Sequence, residues 1–218
     1  MKQRVLLKGK PGLDLLHRIS SADILNLSKD LRTQALILNP QGRILSYLEV
    51  TLRDQDSVEI EFEDEFLVHL EHYTFSERYT IEPLPPSKEP TPSDLERIRA
   101  LVPKEGQEFK PDGTTNPLEV NLRSAIADQK GCYPGQEVIE KIISLGSPAR
   151  KLCRIRRVSG GEDPIAPASV CGPDHLEAGT LTSVSQGEGL AILKRTHCKE
   201  GQRILISNQE WLVEKVAE

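Results

Sequence analysis

Beyond Gly146-Ser147-Pro148 the sequence keeps a single periodicity, the two-residue alternation of β-strands, and that switch limits the architecture more than any other feature. Residues 151–158, 178–184, 190–193, 203–206 and 210–216 are short runs between turn residues, the pattern of a small β-barrel. Trp211, alternating with Val213 and Lys215, is predicted at the barrel core or rim. Ahead of the switch the patterning is mixed. The chain therefore reads as α+β, with an N-terminal lobe over residues 1–148 and a C-terminal β-barrel over residues 149–218.

Within the first lobe, residues 4–7 read as a strand, and a Gly9 to Gly12 turn leads into an amphipathic helix with Leu13, Leu15, Leu16 and Ile19 on one stripe. Residues 34–38 and 43–52 pair as a hairpin around Asn39-Pro40-Gln41-Gly42. Residues 57–62, 66–70 and 78–81 extend the sheet, and the acidic stretch 59–65 is expected on its solvent side. Pro83, Pro85, Pro86, Pro90 and Pro92 resist regular structure and mark an extended linker over residues 83–92. Ser93-Asp94-Leu95-Glu96 is a capping box opening a short helix with Leu95, Ile98, Leu101 and Val102 on its apolar side.

A formal charge of -5 over 218 residues argues against an electrostatic grip on a nucleic-acid backbone. Strand alternation sends many of the basic residues Arg150, Lys151, Arg154, Arg156 and Arg157 to one side, which suits a solvated sheet face. No apolar run approaches signal-peptide or membrane-spanning length, which predicts a cytoplasmic address and no membrane partner. Cys132, Cys153, Cys171 and Cys198 form no CxxC pair, so neither a zinc site nor a disulfide framework is signalled. The histidines are scattered, and His17 is expected on the polar side of the first helix.

The segment Lys130-Gly131-Cys132-Tyr133-Pro134-Gly135-Gln136-Glu137 sets a thiol between glycines, ahead of a helix expected to start near Gln136. A helix N-terminus and the neighbouring Lys130 both favour the thiolate, the nucleophilic and metal-binding form of cysteine. The same residues also describe a tight turn carrying a small packing cysteine, and spacing alone does not choose between the two.

Lys-Gly-Cys-Tyr-x-Gly-Gln-Glu resembles the signature of the YgfZ family, relatives of the glycine-cleavage T-protein. The turn at Asp23, the paired strands around Gly42, the Asn116-Pro117-Leu118-Glu119 step and Ala178-Gly179-Thr180-Leu181-Thr182-Ser183 are similar to other family segments in the same order. The resemblance implies a folate-binding T-protein-like lobe joined to the barrel. It implies a role in iron–sulfur cluster assembly or repair, with a link to tRNA modification. Carried onto this sequence, Cys132 is the functional residue, and Lys130, Gly131, Tyr133, Gly135, Gln136 and Glu137 are the other motif positions lining a tetrahydrofolate site. Glu119 matches an acidic residue that holds the pterin, since a carboxylate accepts paired N–H bonds; it is equally suited to cap the turn after Pro117. The implied partners are a folate and iron–sulfur client or assembly proteins, while direct tRNA binding finds no support in the charge. Ser46 and Tyr47 stand where aminomethyltransferases carry a catalytic aspartate, and neither is an anionic acid–base group at neutral pH. A folate-dependent one-carbon transferase of T-protein type is therefore the alternative reading rather than the leading one.

Overall fold

The computed structural model describes residues 2–87, 90 and 92–217. It resolves into two compact units that alternate along the chain: Met1–Glu89 with Pro111–Thr115 and Ser124–Lys141, and Pro90–Lys110 with Asn116–Arg123 and Ile142–Glu218. Lys88, Glu89 and Thr91 of the proline-rich segment lie outside the described residues.

In the first unit β1 (Gln3–Lys8), β2 (Arg32–Leu38), β3 (Ile44–Asp54), β4 (Ser57–Phe62) and β5 (Thr80–Pro83) form an antiparallel sheet in the order β2-β3-β4-β1-β5. The helix α1 (Lys10–Ile19) packs Leu13, Leu16 and Ile19 into the core with Val5, Leu7, Ile37, Leu48, Val50, Val58 and Ile60. Each such side chain contributes about 1.5–3 kcal/mol of burial. Gly12 lets the helix approach closely: a Cβ there would lie 2.7 Å from the Tyr79 Cβ.

Residues 66–70, expected as a strand, belong instead to the helix α2 (Phe66–Tyr73). The Asp64 carboxylate accepts the Phe66 N–H at 2.8 Å, starting the helix, and Phe66 and Leu70, four apart, share its buried side. Phe66 also meets Phe62 edge-on at 5.1 Å between centroids.

A second correction concerns the acidic stretch. Alternation does turn Glu59 and Glu61 away from the apolar core, but they are buried, at 6% and 5% exposure, beneath basic side chains of neighbouring strands. Glu59 takes bonds from Arg4 at 2.5 Å and Arg53 at 2.7 Å, and Glu61 from Arg32 at 2.9 Å with Lys2 at 3.3 Å. The outer sheet face is thus a lattice of alternating charges.

The second unit begins with the helix α3 (Asp94–Arg99), whose capping box forms as predicted: Ser93 N–H donates to Glu96 at 2.8 Å and Glu96 N–H to Ser93 Oγ at 3.3 Å. The helix α4 (Gln136–Ser144) starts in the first unit and ends in the second. The strands β6 (Arg150–Arg157), β7 (Ala168–Cys171), β8 (Glu177–Ser185), β9 (Glu188–Lys194), β10 (Arg203–Ile206) and β11 (Gln209–Val216) close a barrel in the order β10-β11-β6-β9-β8-β7, with β7 pairing back to β10. Ile155, Val170, Leu181, Leu193, Ile206, Trp211 and Val213 fill it, and Trp211 is fully buried. The short strand β7 has one large apolar residue, Val170, and escaped the sequence pattern. Arg154 and Arg156 lie outside the barrel, both paired with Glu214. Among the described residues no helix is long and apolar enough to cross a membrane.

Beside the barrel, α3 is held by a buried ion pair. The Arg97 guanidinium, 4% exposed, donates to Glu108 at 2.8 Å, Asp94 at 2.9 Å, Ser183 Oγ at 2.6 Å and the Gln107 side-chain carbonyl. Glu108, with no exposed side-chain surface, also accepts from the hydroxyls of Thr182 at 2.7 Å and Ser183 at 2.5 Å. Arg97→Ala leaves that carboxylate buried and unpaired, so we expect a loss of about 3–5 kcal/mol in urea denaturation. The Arg97→Met, Glu108→Leu double variant removes both charges and is expected to lose less than Arg97→Ala alone. An equal or larger loss in the double variant would show that the cost is not one of stranded charge.

Candidate functional site

The signature loop is assembled from three anchors, all within the first unit. Upstream, Ser21 binds its approach: the Ser21 hydroxyl donates to the Ala125 carbonyl at 2.5 Å and accepts the Leu36 N–H at 3.0 Å, and Ala127 N–H donates to the Ser21 carbonyl at 2.9 Å. These bonds are buried, and each satisfies a group that would otherwise be stranded.

The second anchor is Lys130. Its ammonium donates to the carbonyls of Ser20 at 2.5 Å and Ala22 at 3.0 Å and to that of His17. These carbonyls belong to the last turn of α1 and the residues just past it, where backbone oxygens have no helical partner and the dipole favours a cation. The three N–H donors are thereby used up. Burial pushes the ammonium down to about 8, with Asp23 acting in the opposite direction. Any field that Lys130 exerts on Cys132 acts from this fixed point. The same ammonium lies 5.3 Å from the centroid of the buried Tyr133 ring.

The third anchor is backbone against backbone. Gly135, at φ +80°, sits against the hairpin turn, where an added Cβ would stand 2.4 Å from the Asn39 carbonyl oxygen and 3.0 Å from the Gly42 Cα. The turn itself is organised by Asn39, whose side-chain oxygen accepts the N–H of Gln41 at 3.0 Å and of Arg43 at 2.9 Å. From Gly135 the chain enters α4 where expected, and Ile139 buries itself next to Gly42.

Between the second and third anchors Cys132 is exposed. Gly131 has open space around it, with nothing within 4 Å of a hypothetical Cβ. Gln136 bonds along its own helix to Glu140 at 2.6 Å, and Glu137 is exposed on the first turn of α4. Of the predicted residues, Lys130, Gly131, Cys132, Tyr133 and Gly135 therefore lie on one clamped loop, and Gln136 and Glu137 on the first turn of the helix that follows it. Glu119 belongs to the second unit, on a 3₁₀ turn (Pro117–Glu119). The N-cap of that turn is Asn116, whose side-chain oxygen accepts the Leu118 N–H at 2.9 Å.

Sequence reasoning overlooked the surroundings of Lys130. His17, expected on the polar side of α1, turns its Nδ1 to within 3.4 Å of Asp23. Burial, then the Lys130 charge, lower the affinity of His17 for its proton, and Asp23 opposes them. The His17 Nδ1, Ser20 Oγ and Asp23 Oδ1 atoms are buried with no hydrogen-bond partner among the described residues. Such atoms retain capacity for a polar ligand or an ordered water. The only signal in the sequence was Asp23 itself, in the turn after α1.

On β3, Ser46 is fully buried, and Tyr47 donates its backbone N–H to Asp64 at 2.8 Å. Asp64 thus brings a carboxylate to this strand, and burial raises its pKa above the usual aspartate value. Both of its oxygens already accept backbone N–H bonds, from Tyr47 and Phe66.

The two glycines of the loop give opposite expectations. Gly135→Ala meets both a left-handed backbone and a backbone clash, so we expect roughly 2–4 kcal/mol of destabilisation by thermal or urea denaturation. Gly131→Ala should change stability by less than about 1 kcal/mol. Equal effects at both positions would contradict the clamped-loop description.

No family model matches the chain. Among solved structures it is similar to the glycine cleavage system aminomethyltransferase T from Bartonella henselae, with a TM-score of 0.83 over 98% of this chain and 83% of that one, at 14% identity. At that identity the likeness is one of fold: sheet lobe and closed barrel are those of a T-protein. A chloroplastic Arabidopsis thaliana protein named as a transferase is 26% identical over 117 residues, which are 51% of this chain and 26% of the relative. The match therefore spans about a quarter of that relative's length.

Proposed function

We propose that the chain is a folate-binding protein of YgfZ type that assists iron–sulfur cluster assembly or repair, with Cys132 as the residue that engages a cluster or a partner's thiol. The observation that carries this reading is the exposed Cys132 held at the tip of a loop clamped on both sides. A clamped loop presents its sulfur without the entropy cost of ordering it during an encounter. Loss of the thiol proton gives the thiolate, whose lone pair ligates iron.

Lys130, Tyr133 and Gly135 hold the loop, and Gln136 and Glu137 open the helix behind it. The unfilled hydrogen-bonding capacity of His17, Ser20 and Asp23 suits a polar heterocycle such as a pterin. When bound, a tetrahydrofolate supplies a nitrogen that accepts one-carbon units. Cluster-dependent enzymes, including those that modify tRNA, are the clients in this reading; the net charge of -5 disfavours a direct grip on the RNA itself.

The transferase alternative finds no anionic side chain at Ser46 or Tyr47, and would have to use Asp64, which already holds the Tyr47 and Phe66 N–H groups.

In cells lacking the wild-type protein, we expect Cys132→Ser to restore less than about a tenth of the client-enzyme activity that wild type restores. Purified wild type and Cys132→Ser should bind tetrahydrofolate saturably and alike, measured by calorimetry. Full rescue by the serine variant would remove the proposal. A folate-dependent product from an amine substrate would favour the transferase.

A further inference from the structure

Two of the remaining cysteines meet in the second unit, far apart in sequence. Cys153 lies in the middle of β6, fully buried, and Cys198 is half-buried just past the 3₁₀ turn (Arg195–His197) that follows β9. Their sulfurs share one carbonyl, that of Lys151, at 3.7 Å from Cys153 Sγ and 4.0 Å from Cys198 Sγ. Cys198 packs against the same barrel core that holds Cys153, with its sulfur also near the Leu193 and Lys194 carbonyls at 3.2 and 3.3 Å. Packing alone does not require two thiols side by side at this point of an apolar barrel core, where valine or alanine fills the same space.

We propose that Cys153 and Cys198 form a redox couple, a dithiol that a peroxide converts to a disulfide inside the barrel. Cys198 is the sulfur nearer to solvent. It attacks one peroxide oxygen, the O–O bond breaks, and the first water (or alcohol) leaves, giving a sulfenic acid. Cys153 then attacks the Cys198 sulfur, the S–O bond breaks, and a second water leaves as the S–S bond forms. Two S–H bonds are lost, both sulfurs are oxidised by one electron each, and the peroxide takes up the two electrons. The direction of the thiol equilibria agrees with these roles. The neighbouring Cys153 lowers the Cys198 pKa, and Cys198 and then burial raise that of Cys153.

Cys198 lies just past the 3₁₀ turn rather than in a strand, so it can move to meet disulfide geometry while β6 keeps its register with β9. The bridge would staple β6 to the segment after β9. The couple belongs to the second unit and the Cys132 loop to the first, and the redox proposal neither needs nor supports the cluster-related role.

The test oxidises the full-length chain carrying Cys132→Ser, which removes the exposed competitor, with hydrogen peroxide. Non-reducing peptide mapping should recover the Cys153 peptide linked to the Cys198 peptide, two hydrogens lighter than their sum. The oxidised protein should melt at least about 4 °C higher than the reduced one, and dithiothreitol should reverse the shift. Cys153→Val and Cys198→Ser should each abolish both the link and the shift; if the valine variant fails to fold, the serine variant decides. Recovery of Cys153 and Cys198 as free, alkylatable thiols after peroxide treatment would overturn the proposal, as would linkage of either one to Cys171 instead.

Discussion

The ammonium of Lys130 on the carbonyls at the end of α1 is the interaction on which the first unit's organisation turns. A helix C-terminus leaves backbone oxygens without partners, and burying them against another segment is costly unless a donor arrives. One lysine from 108 to 113 residues later in the chain supplies three such bonds at once. It thereby decides where the signature loop begins, just as Gly135 decides where it ends. The residues between have little freedom left. Cys132 is exposed because its neighbours on both sides are committed to the fold.

This arrangement separates two kinds of residue within one short motif. Lys130, Tyr133 and Gly135 satisfy, fill and permit, and their demands are those of packing. Cys132 makes no comparable contribution to the fold, and a small apolar side chain would leave the loop's anchors intact.

Much of the architecture could be read in advance because it rests on local signals. The barrel strands carry their alternation within a few residues, the capping box at Ser93 lies within four, and the hairpin turn at Asn39 to Gly42 is self-contained. What escaped was whatever depends on distant partners. Glu59 and Glu61 look like solvent-facing acids until Arg4, Arg32 and Arg53 arrive from other strands to cover them. Phe66 to Leu70 reads as a strand until Asp64, bonded across to Tyr47, bends the chain into a helix. The loop's residues were found from their own pattern. The anchoring role of Lys130 was not, because its partners are main-chain oxygens that every sequence possesses.

The interleaving of the two units also bears on how the chain is made. Residues up to Glu89 contain every strand of the first sheet, yet the segments Pro111–Thr115 and Ser124–Lys141 that complete the unit are synthesised later. During translation the sheet must wait, with the α1 carbonyls unsatisfied and the hairpin turn uncovered, until Lys130 and Gly135 have cleared the ribosomal tunnel. An emerging chain of this design exposes its nascent sheet for as long as it takes to elongate through those residues, at about 5–20 residues per second. A chaperone that holds unfinished sheets would find its substrate in that interval.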